Sequence, residues 1–411
     1  MIRASHNGPM GQHETVLAEA TDDGQAMRAR SPELVALAGL AALAVAMGIG
    51  RFAFTPILPM MQTDGRISVA GGGWLASANY VGYLIGATSV SILARRIRPA
   101  VGIRTGLLVI AVATLGMGID DHFAVWAALR ALAGIGSAAV LVFASSWSLE
   151  RLAGVRRPVL NGVVFAGVGV GIAVAGGICL ALMRWNATAV QAWIALGALS
   201  AVITAAIWPV FDSRGTPGAA SATRRLTMPG WNKDRVRLVI CYGAFGFGYI
   251  IPSTFLPAMA RLVIPDPLVF GWAWPLFGAA AALSTLLVGF ATGYFGLRRL
   301  MALSHVVMAL GVVLPVWLPG IHAIMLSALL VGGTFMVITL LGMQEARAMA
   351  QADAASFMAV MTTAFAAGQI AGPLCVSYLA GVGAPLLLAC LLLLASAAAL
   401  ARRSPQNVSN G

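Results

Sequence analysis

GIGRFAFTPILPMM, residues 48–61, ends the first long apolar run of the chain and contains a single charge, Arg51. No other charged residue lies between Glu33 and Arg51, so the guanidinium lies well inside the run. A charged residue at the centre of a membrane helix costs about 2.5–3.5 kcal/mol on insertion scales, and such residues generally have a functional role. We therefore expect Arg51 to serve the function of the protein.

The composition is that of a membrane protein. Of the 411 residues, 59% are hydrophobic and only 10% are charged, whereas soluble domains usually have about 25% charged residues. Apolar runs of about 20 residues, each long enough to cross a bilayer as a helix, recur from residue 34 almost to the end. The runs lack the alternation of a membrane β-barrel. We predict an all-α, polytopic membrane protein.

The formal net charge of +12 would suggest a nucleic-acid partner in a soluble protein. Here the basic residues collect in short loops between apolar runs, where they set orientation in the membrane, so we expect no nucleic-acid partner. The four cysteines lie inside apolar runs without metal or disulfide spacing. We expect a monomer in the lipid bilayer, without metal or cofactor.

Twelve membrane-spanning helices, spans 1–12, are predicted in two halves. The first six cover about residues 34–61, 73–94, 104–119, 123–148, 161–183 and 191–211. The second six cover about residues 236–259, 268–292, 299–318, 321–343, 355–379 and 383–401. The predicted domains are a disordered cytoplasmic tail (1–33), an N-terminal six-helix bundle (34–211), a cytoplasmic linker (212–235), a C-terminal six-helix bundle (236–401) and a cytoplasmic tail (402–411).

The distribution of basic residues predicts the orientation. Of the 26 Lys and Arg residues, 21 lie in the tails and in the loops that follow even-numbered spans, and only Arg66, Arg184 and Arg261 lie in the opposite loops. Basic residues collect on the cytoplasmic side of membrane proteins. We therefore place both termini in the cytoplasm and the protein in the bacterial inner membrane.

A shift of 198 residues aligns the opening stretch with residues 246–259, GFGYIIPSTFLPAM. Five residues match without a gap, namely Gly48, Gly50, Leu58, Pro59 and Met61 with Gly246, Gly248, Leu256, Pro257 and Met259. The same shift pairs Gly134 with Gly332 and Arg51 with Tyr249. Two parallel halves are typical of secondary transporters, whose substrate site lies between the halves near the midplane.

The twelve spans, the central linker and the repeat resemble the major facilitator superfamily. RALAGIGSA, residues 130–138 of span 4, is similar to the R-x-x-x-G-x-G-x-A pattern of that superfamily. Span 5 resembles the antiporter pattern G-x-x-x-G-P-x-x-G-G between Gly167 and Gly176, with Ile172 in place of Pro and Ala175 in place of Gly. The resemblance implies a transporter that works by alternating access, with spans 1, 2, 4, 5, 7, 8, 10 and 11 around a central cavity.

The opening stretch and GQIAGP, residues 368–373 in span 11, resemble the YbfB/YjiJ-type branch of this superfamily, over nearly all of the chain beyond the N-terminal tail. The loops after spans 2 and 8 depart from the superfamily, because they lack the Asp of its loop motif. By this resemblance the gating residues are Arg95, Arg96 and Arg298, without the charge pair that the Asp would form.

The candidate substrate-binding residues lie on the spans that the resemblance places around the cavity. Arg51 and Arg130 lie at similar depth, and two arginines can clamp a carboxylate or phosphate through bidentate hydrogen bonds. Alternatively, Arg130 bonds backbone carbonyls or holds neighbouring helices together. The other candidates are Asn79 and Tyr83 in span 2, Tyr249 in span 7 and Gln369 in span 11.

All fourteen carboxylates lie in tails, loops or span ends. Because membrane carboxylates are the usual proton relays of transporters, we expect an anionic substrate, an organic acid that can itself carry a proton. A permease or efflux transporter for neutral or cationic solutes, including drugs, and a non-transporting sensor of the same fold are the alternatives. An enzyme is not expected, because no nucleophile–base pairing, metal-binding spacing or phosphate loop occurs.

Overall fold

The computed structural model describes residues 31–94, 96–155, 157–211, 231–263, 271–318, 320–379 and 383–402. Most of the predicted tails (1–33 and 402–411) and of the linker (212–235) lies outside these residues, and so does Arg95. Within the described residues the regular structure is helical throughout. The predicted all-α class is therefore confirmed.

Twelve helices follow the twelve predicted spans in the described ranges, and we number them in the same order. The first half consists of α1 (Pro32–Thr63), α2 (Val69–Leu93), α3 (Pro99–Ile119), α4 (Phe123–Leu152), α5 (Val159–Arg184) and α6 (Ala189–Ile207). The second half consists of α7 (Lys233–Val263), α8 (Ala273–Ala291), α9 (Leu297–Trp317), α10 (Ile321–Ala350), α11 (Ala354–Tyr378) and α12 (Gly383–Ala401). Short 3₁₀ turns follow α6 (Trp208–Phe211) and precede α11 (Gln351–Asp353).

Eleven of these helices are long and apolar enough to cross a membrane. The exception is α2, whose middle contains Asn79, Tyr80 and Tyr83 among glycines and serines. This helix nevertheless lies between α4 and α11, on the interface between the halves. Asn79 and Tyr83 are buried and Tyr80 is partly buried, so these polar side chains of α2 lie against other helices.

Ion pairs join helix ends on one side of the bundle. Arg157, just before α5, pairs with Glu33 in the first turn of α1, with an N–O distance of 2.6 Å. Helix α7 begins here at Lys233, three residues before the predicted boundary. Its charged first turn is held by an ion pair between Asp234 and Arg237 at 2.7 Å.

The predicted repeat is present in the helix boundaries themselves. Helix α3, Pro99–Ile119, and helix α9, Leu297–Trp317, begin and end 198 residues apart. Helices α4, Phe123–Leu152, and α10, Ile321–Ala350, are related by the same shift. In these two pairs of helices, residues 198 positions apart can therefore be compared directly.

Helix α1 is interrupted where the opening stretch begins. Its first segment, Pro32–Leu43, continues as a π-helix, Ala44–Ile49, and a turn at residues 50–53 precedes the last segment, Phe54–Thr63. Gly48 permits this course because a Cβ there would lie 2.4 Å from the backbone of Gly171 on α5. Single π-turns inside helices are frequent at functional sites. The interruption places Arg51 in the turn.

Small residues bring the other helices close together, as is usual in membranes. Within the halves, a Cβ at Gly134 on α4 would lie 2.2 Å from the Asn79 carbonyl oxygen on α2. Between the halves, a Cβ at Gly169 on α5 would lie 2.3 Å from the Ala282 nitrogen on α8. The halves meet through this α5–α8 contact and through α2–α11.

Replacing Gly171 with Ala tests the close approach at the interruption. The new Cβ would lie 2.4 Å from the Ala44 carbonyl oxygen, and backbone on both sides prevents easy relaxation. We expect Gly171→Ala to destabilise the protein by about 1–3 kcal/mol, as overpacking generally does, measured as a lower midpoint of thermal unfolding. Gly177→Ala on the same helix is the control, because nothing lies within 4 Å of its Cβ position. Equal midpoints for the two variants would show that α5 does not constrain α1 in this way.

Candidate functional site

Arg51 lies in the interior of the bundle, with its side chain between the two halves. It is only 3% exposed. Its guanidinium carbon lies 3.9 Å from the ring centroid of Tyr83 and 5.4 Å from that of Tyr80, both on α2. Its Nη2 donates a hydrogen bond to the Oε1 of Gln369 on α11, in the second half. The side chain therefore connects the halves through neutral partners and aromatic faces.

The charge of Arg51 has no counterion among the described residues. Ion pairs in these ranges involve residues at helix ends and loops, and none includes Arg51. The Nε and Nη1 atoms of Arg51 also lack a hydrogen-bond acceptor there. A buried charge is expensive unless it is paired and hydrogen-bonded, and cation–π contacts offset only part of that cost. The guanidinium therefore keeps two donor nitrogens, Nε and Nη1, without an acceptor in this part of the chain.

Arg130 has a different environment, although it is buried to the same extent. Its Nη1 donates to the Gly50 carbonyl at 3.2 Å and its Nη2 to the Arg51 carbonyl at 3.3 Å. These carbonyls belong to the turn that interrupts α1. Ser137, two turns further along α4, donates to the Ala46 carbonyl at 2.6 Å. Helix α4 thus hydrogen-bonds carbonyls that the interruption leaves available.

Of the two roles considered for Arg130, the structure shows backbone bonding. The guanidinium lies 4.7 Å from the ring centroid of Phe54, which further fixes the side chain against α1. Arg130 thereby fixes the backbone of Arg51. A direct contact of Arg130 with substrate stays a prediction.

The remaining predicted residues lie on both sides of Arg51. Asn79 donates to the Arg130 carbonyl at 2.9 Å, while Tyr83 and Gln369 contact Arg51 directly. All three side chains are fully buried. The Asn79 Oδ1, the Tyr83 hydroxyl and the Gln369 Nε2 have no hydrogen-bond partner among the described residues. Because Arg130 bonds the Arg51 carbonyl and has an unused Nε, the structure brings five of the six predicted residues (Arg51, Asn79, Tyr83, Arg130, Gln369) into one group with unused hydrogen-bonding atoms.

Tyr249 belongs to an aromatic cluster that faces this group. Its ring stacks on Phe335 of α10 at 5.2 Å with an interplanar angle of 10°. Phe52, the neighbour of Arg51, contacts Phe335 at 6.1 Å and Trp274 of α8 at 6.3 Å. Trp274 in turn stacks on Phe277 at 5.2 Å. We define the aromatic cluster as these five residues, Phe52, Tyr249, Trp274, Phe277 and Phe335.

Sequence reasoning missed Phe277 and Phe335, although the repeat contained the signal. The 198-residue shift pairs Arg51 with Tyr249, Asn79 with Phe277 and Ser137 with Phe335. Each of these three polar residues thus has an aromatic counterpart in the second half. Extending the alignment beyond the opening stretch would have identified these aromatic residues.

The predicted gating arginines lie away from this site. Arg298, in the first turn of α9, donates to Glu345 near the end of α10 at 2.6 Å and lies 3.7 Å from Asp234 of α7. All three belong to the second half. Arg96 is exposed in the turn between α2 and α3, and Arg95 is outside the described residues. A gating role for these arginines stays a prediction.

Comparison with solved structures gives the fold of known transporters. The outward-facing structure of FucP, a major facilitator superfamily transporter, matches with a TM-score of 0.68 at 14% identity, over 91% of this chain and 100% of that one. The human organic anion transporter MFSD10 (TETRAN) matches with a TM-score of 0.65 at 16% identity, over 90% of this chain and 100% of the other. At these identities the likeness shows the fold alone. No curated protein sequence matches this chain.

A family model described as "Uncharacterised MFS-type transporter YbfB" matches residues 43–402, which include the complete site. This match confirms the resemblance found in the opening stretch. Members of this superfamily are membrane transporters and not enzymes. The chain belongs to the YbfB-type family of major facilitator superfamily transporters.

Proposed function

We propose that this transporter is a secondary active carrier for a small amphipathic organic anion. It moves the anion across the bacterial inner membrane by alternating access, with both termini in the cytoplasm. The observation that carries the proposal is the buried guanidinium of Arg51, which has unused N–H groups and no carboxylate partner among the described residues. A bound anion would supply the missing counterion.

The unused atoms around Arg51 are mainly hydrogen-bond donors. Arg51 offers Nε and Nη1, and Gln369 offers the Nε2 of its amide, none of which can accept a hydrogen bond. The Tyr83 hydroxyl can donate as well. Charge-assisted hydrogen bonds are roughly twice as strong as neutral ones. This set of groups favours a carboxylate and disfavours a cation.

The position of the site supports alternating access. Arg51 belongs to the first half and its hydrogen-bond partner Gln369 to the second. Phe52 contacts Trp274 and Phe335 across the same interface. In secondary transporters the substrate site lies between the repeats, which rock around it. An anion that competes with Gln369 for Arg51 would weaken a hydrogen bond that joins the two halves.

Protonation of the substrate offers a route for coupling to protons. The described carboxylates lie at helix ends or in loops, so none is positioned in the interior as a relay. An organic acid can carry a proton on its own carboxyl group. The structural relatives include an organic anion transporter and the E. coli fucose:proton symporter, so the fold is compatible with both charged and neutral substrates. The unpaired Arg51 is what favours the charged one.

Ligand-dependent stabilisation tests the class of substrate. Purified protein is heated with panels of organic acids, amines and sugars, and the unfolding midpoint is measured. A ligand at 100 times its Kd stabilises the native state by about 2.7 kcal/mol, so an acid that binds should raise the midpoint by several degrees. Stabilisation by amines or sugars alone would refute the anionic substrate.

Substitution of Arg51 tests its role. In proteoliposomes preloaded with the acid found above, Arg51→Ala should reduce counterflow by about 10–100-fold, because a hydrogen bond to a charged group contributes about 1.5–3 kcal/mol. Arg51→Lys should retain part of the activity, since it keeps the charge but loses the planar donor set. The exposed Arg66 provides the control, Arg66→Ala.

Two outcomes would contradict this account. Normal counterflow in both Arg51 variants would make Arg51 structural. Binding of the acid without any counterflow in the unmodified protein would indicate a sensor of transporter fold instead of a transporter.

A further inference from the structure

We infer that the transported anion is a monocarboxylate with a planar aromatic group. The inference rests on the proposed function and names the substrate class of the same site. Two observations lead to it, namely the two unused donor nitrogens of Arg51 and the identity of the residues next to Arg51 in the second half.

The first observation concerns the charge of the site. Among the described residues, the buried Lys and Arg side chains are Arg51 and Arg130. Both terminal nitrogens of Arg130 donate to carbonyls of the α1 turn, and only its Nε lacks a partner among the described residues. Arg51 alone keeps Nε and Nη1 available. We therefore expect the free donors of Arg51 to bind one carboxylate, and the second carboxylate of a dianion would not find a comparable set of free donors in this part of the chain.

The second observation concerns the shape of the surroundings. The counterparts of Arg51, Asn79 and Ser137 in the second half are Tyr249, Phe277 and Phe335. The rings of Tyr249 and Phe335 stack at 5.2 Å, and those of Phe277 and Phe335 at 5.2 Å. At these three positions the first half has hydrogen-bonding side chains, whereas the second half has stacked aromatic rings.

The two parts of the site are adjacent. The guanidinium carbon of Arg51 lies 5.6 Å from the ring centroid of Phe52, and Phe52 contacts both Phe335 and Trp274 edge-on. A carboxylate bound to Arg51 would therefore place the rest of a small molecule next to these rings. Aromatic rings bind other planar rings by offset stacking or edge-to-face contact, which a saturated ring cannot reproduce.

Trp274 adds a polar feature to the apolar side. Its Nε1 has no hydrogen-bond acceptor among the described residues, although the ring is buried. Buried Trp side chains usually find a partner for this N–H. A substituent on the aromatic ring of the substrate, such as a hydroxyl oxygen, would accept this hydrogen bond. The cluster therefore contains a donor that a bound substrate could satisfy.

Matched small molecules separate the parts of this inference. The dissociation constants of benzoate, cyclohexanecarboxylate, benzamide and the dianion phthalate are measured for the purified full-length protein by calorimetry at neutral pH. We expect benzoate to bind at least about tenfold more tightly than each of the others, a difference of about 1.4 kcal/mol. An added hydroxyl group on benzoate is expected to increase affinity further.

Three results would each contradict a different claim about the substrate. Equal binding of benzoate and cyclohexanecarboxylate would overturn the aromatic specificity and leave the anionic substrate intact. Tighter binding of phthalate would overturn the single charge. Binding of benzamide with no binding of any carboxylate would overturn the proposed function itself.

Variants of the aromatic cluster test the same point from the protein side. Phe335→Leu and, independently, Trp274→Leu should weaken benzoate binding by about tenfold or more and leave cyclohexanecarboxylate binding nearly unchanged, so that the ratio of the two constants approaches one. Phe211→Leu is the control, because Phe211 is fully buried against Trp147 in the first half. It should lower the unfolding midpoint without changing the ratio. An unchanged ratio in folded Phe335→Leu and Trp274→Leu proteins would overturn the role of the cluster.

Discussion

An unpaired guanidinium inside the helix bundle is the constraint on which the rest of the site depends. Arg51 is buried without a carboxylate partner among the described residues, and such a charge persists only where the surrounding fold holds it. The interruption of α1 places it, and the backbone bonds from Arg130 and Ser137 stabilise the interruption. Close approach at Gly171 keeps α5 against the π-helical segment. Together these interactions hold α1 in the interrupted conformation that buries Arg51.

The two halves have corresponding helices but differ in the side chains that these helices carry at the site. Helices α3 and α4 recur as α9 and α10 with identical lengths, 198 residues later. At three corresponding positions, polar residues of the first half become aromatic residues of the second. A ligand with a charged end and an apolar end would contact both halves at once, which is what coupling of binding to their relative movement requires.

Much of the architecture could be predicted from the sequence, because hydrophobic length and charge position act locally. The twelve spans, the repeat and the special position of Arg51 follow from such patterns. Backbone bonding was one of the two roles predicted for Arg130, but the particular carbonyls could not be predicted, because they belong to an interruption of α1 that forms where Gly48 meets Gly171 across two helices. Phe335 has no local sequence feature that separates it from the other apolar residues of span 10, and only its pairing with Ser137 in the repeat indicates a special position. Arg298 likewise finds its carboxylates on α10 and α7, far along the chain.

A structure with bound ligand is the most direct test of the claim that Arg51 serves the substrate anion. The protein is crystallised or imaged with the organic acid that stabilises it most, and the distances from the carboxylate oxygens to Arg51 are measured. The account predicts oxygens about 2.7–2.9 Å from Nε or Nη1 of Arg51, between the two halves. An acid bound elsewhere, with Arg51 still hydrogen-bonded only to Gln369, would contradict it.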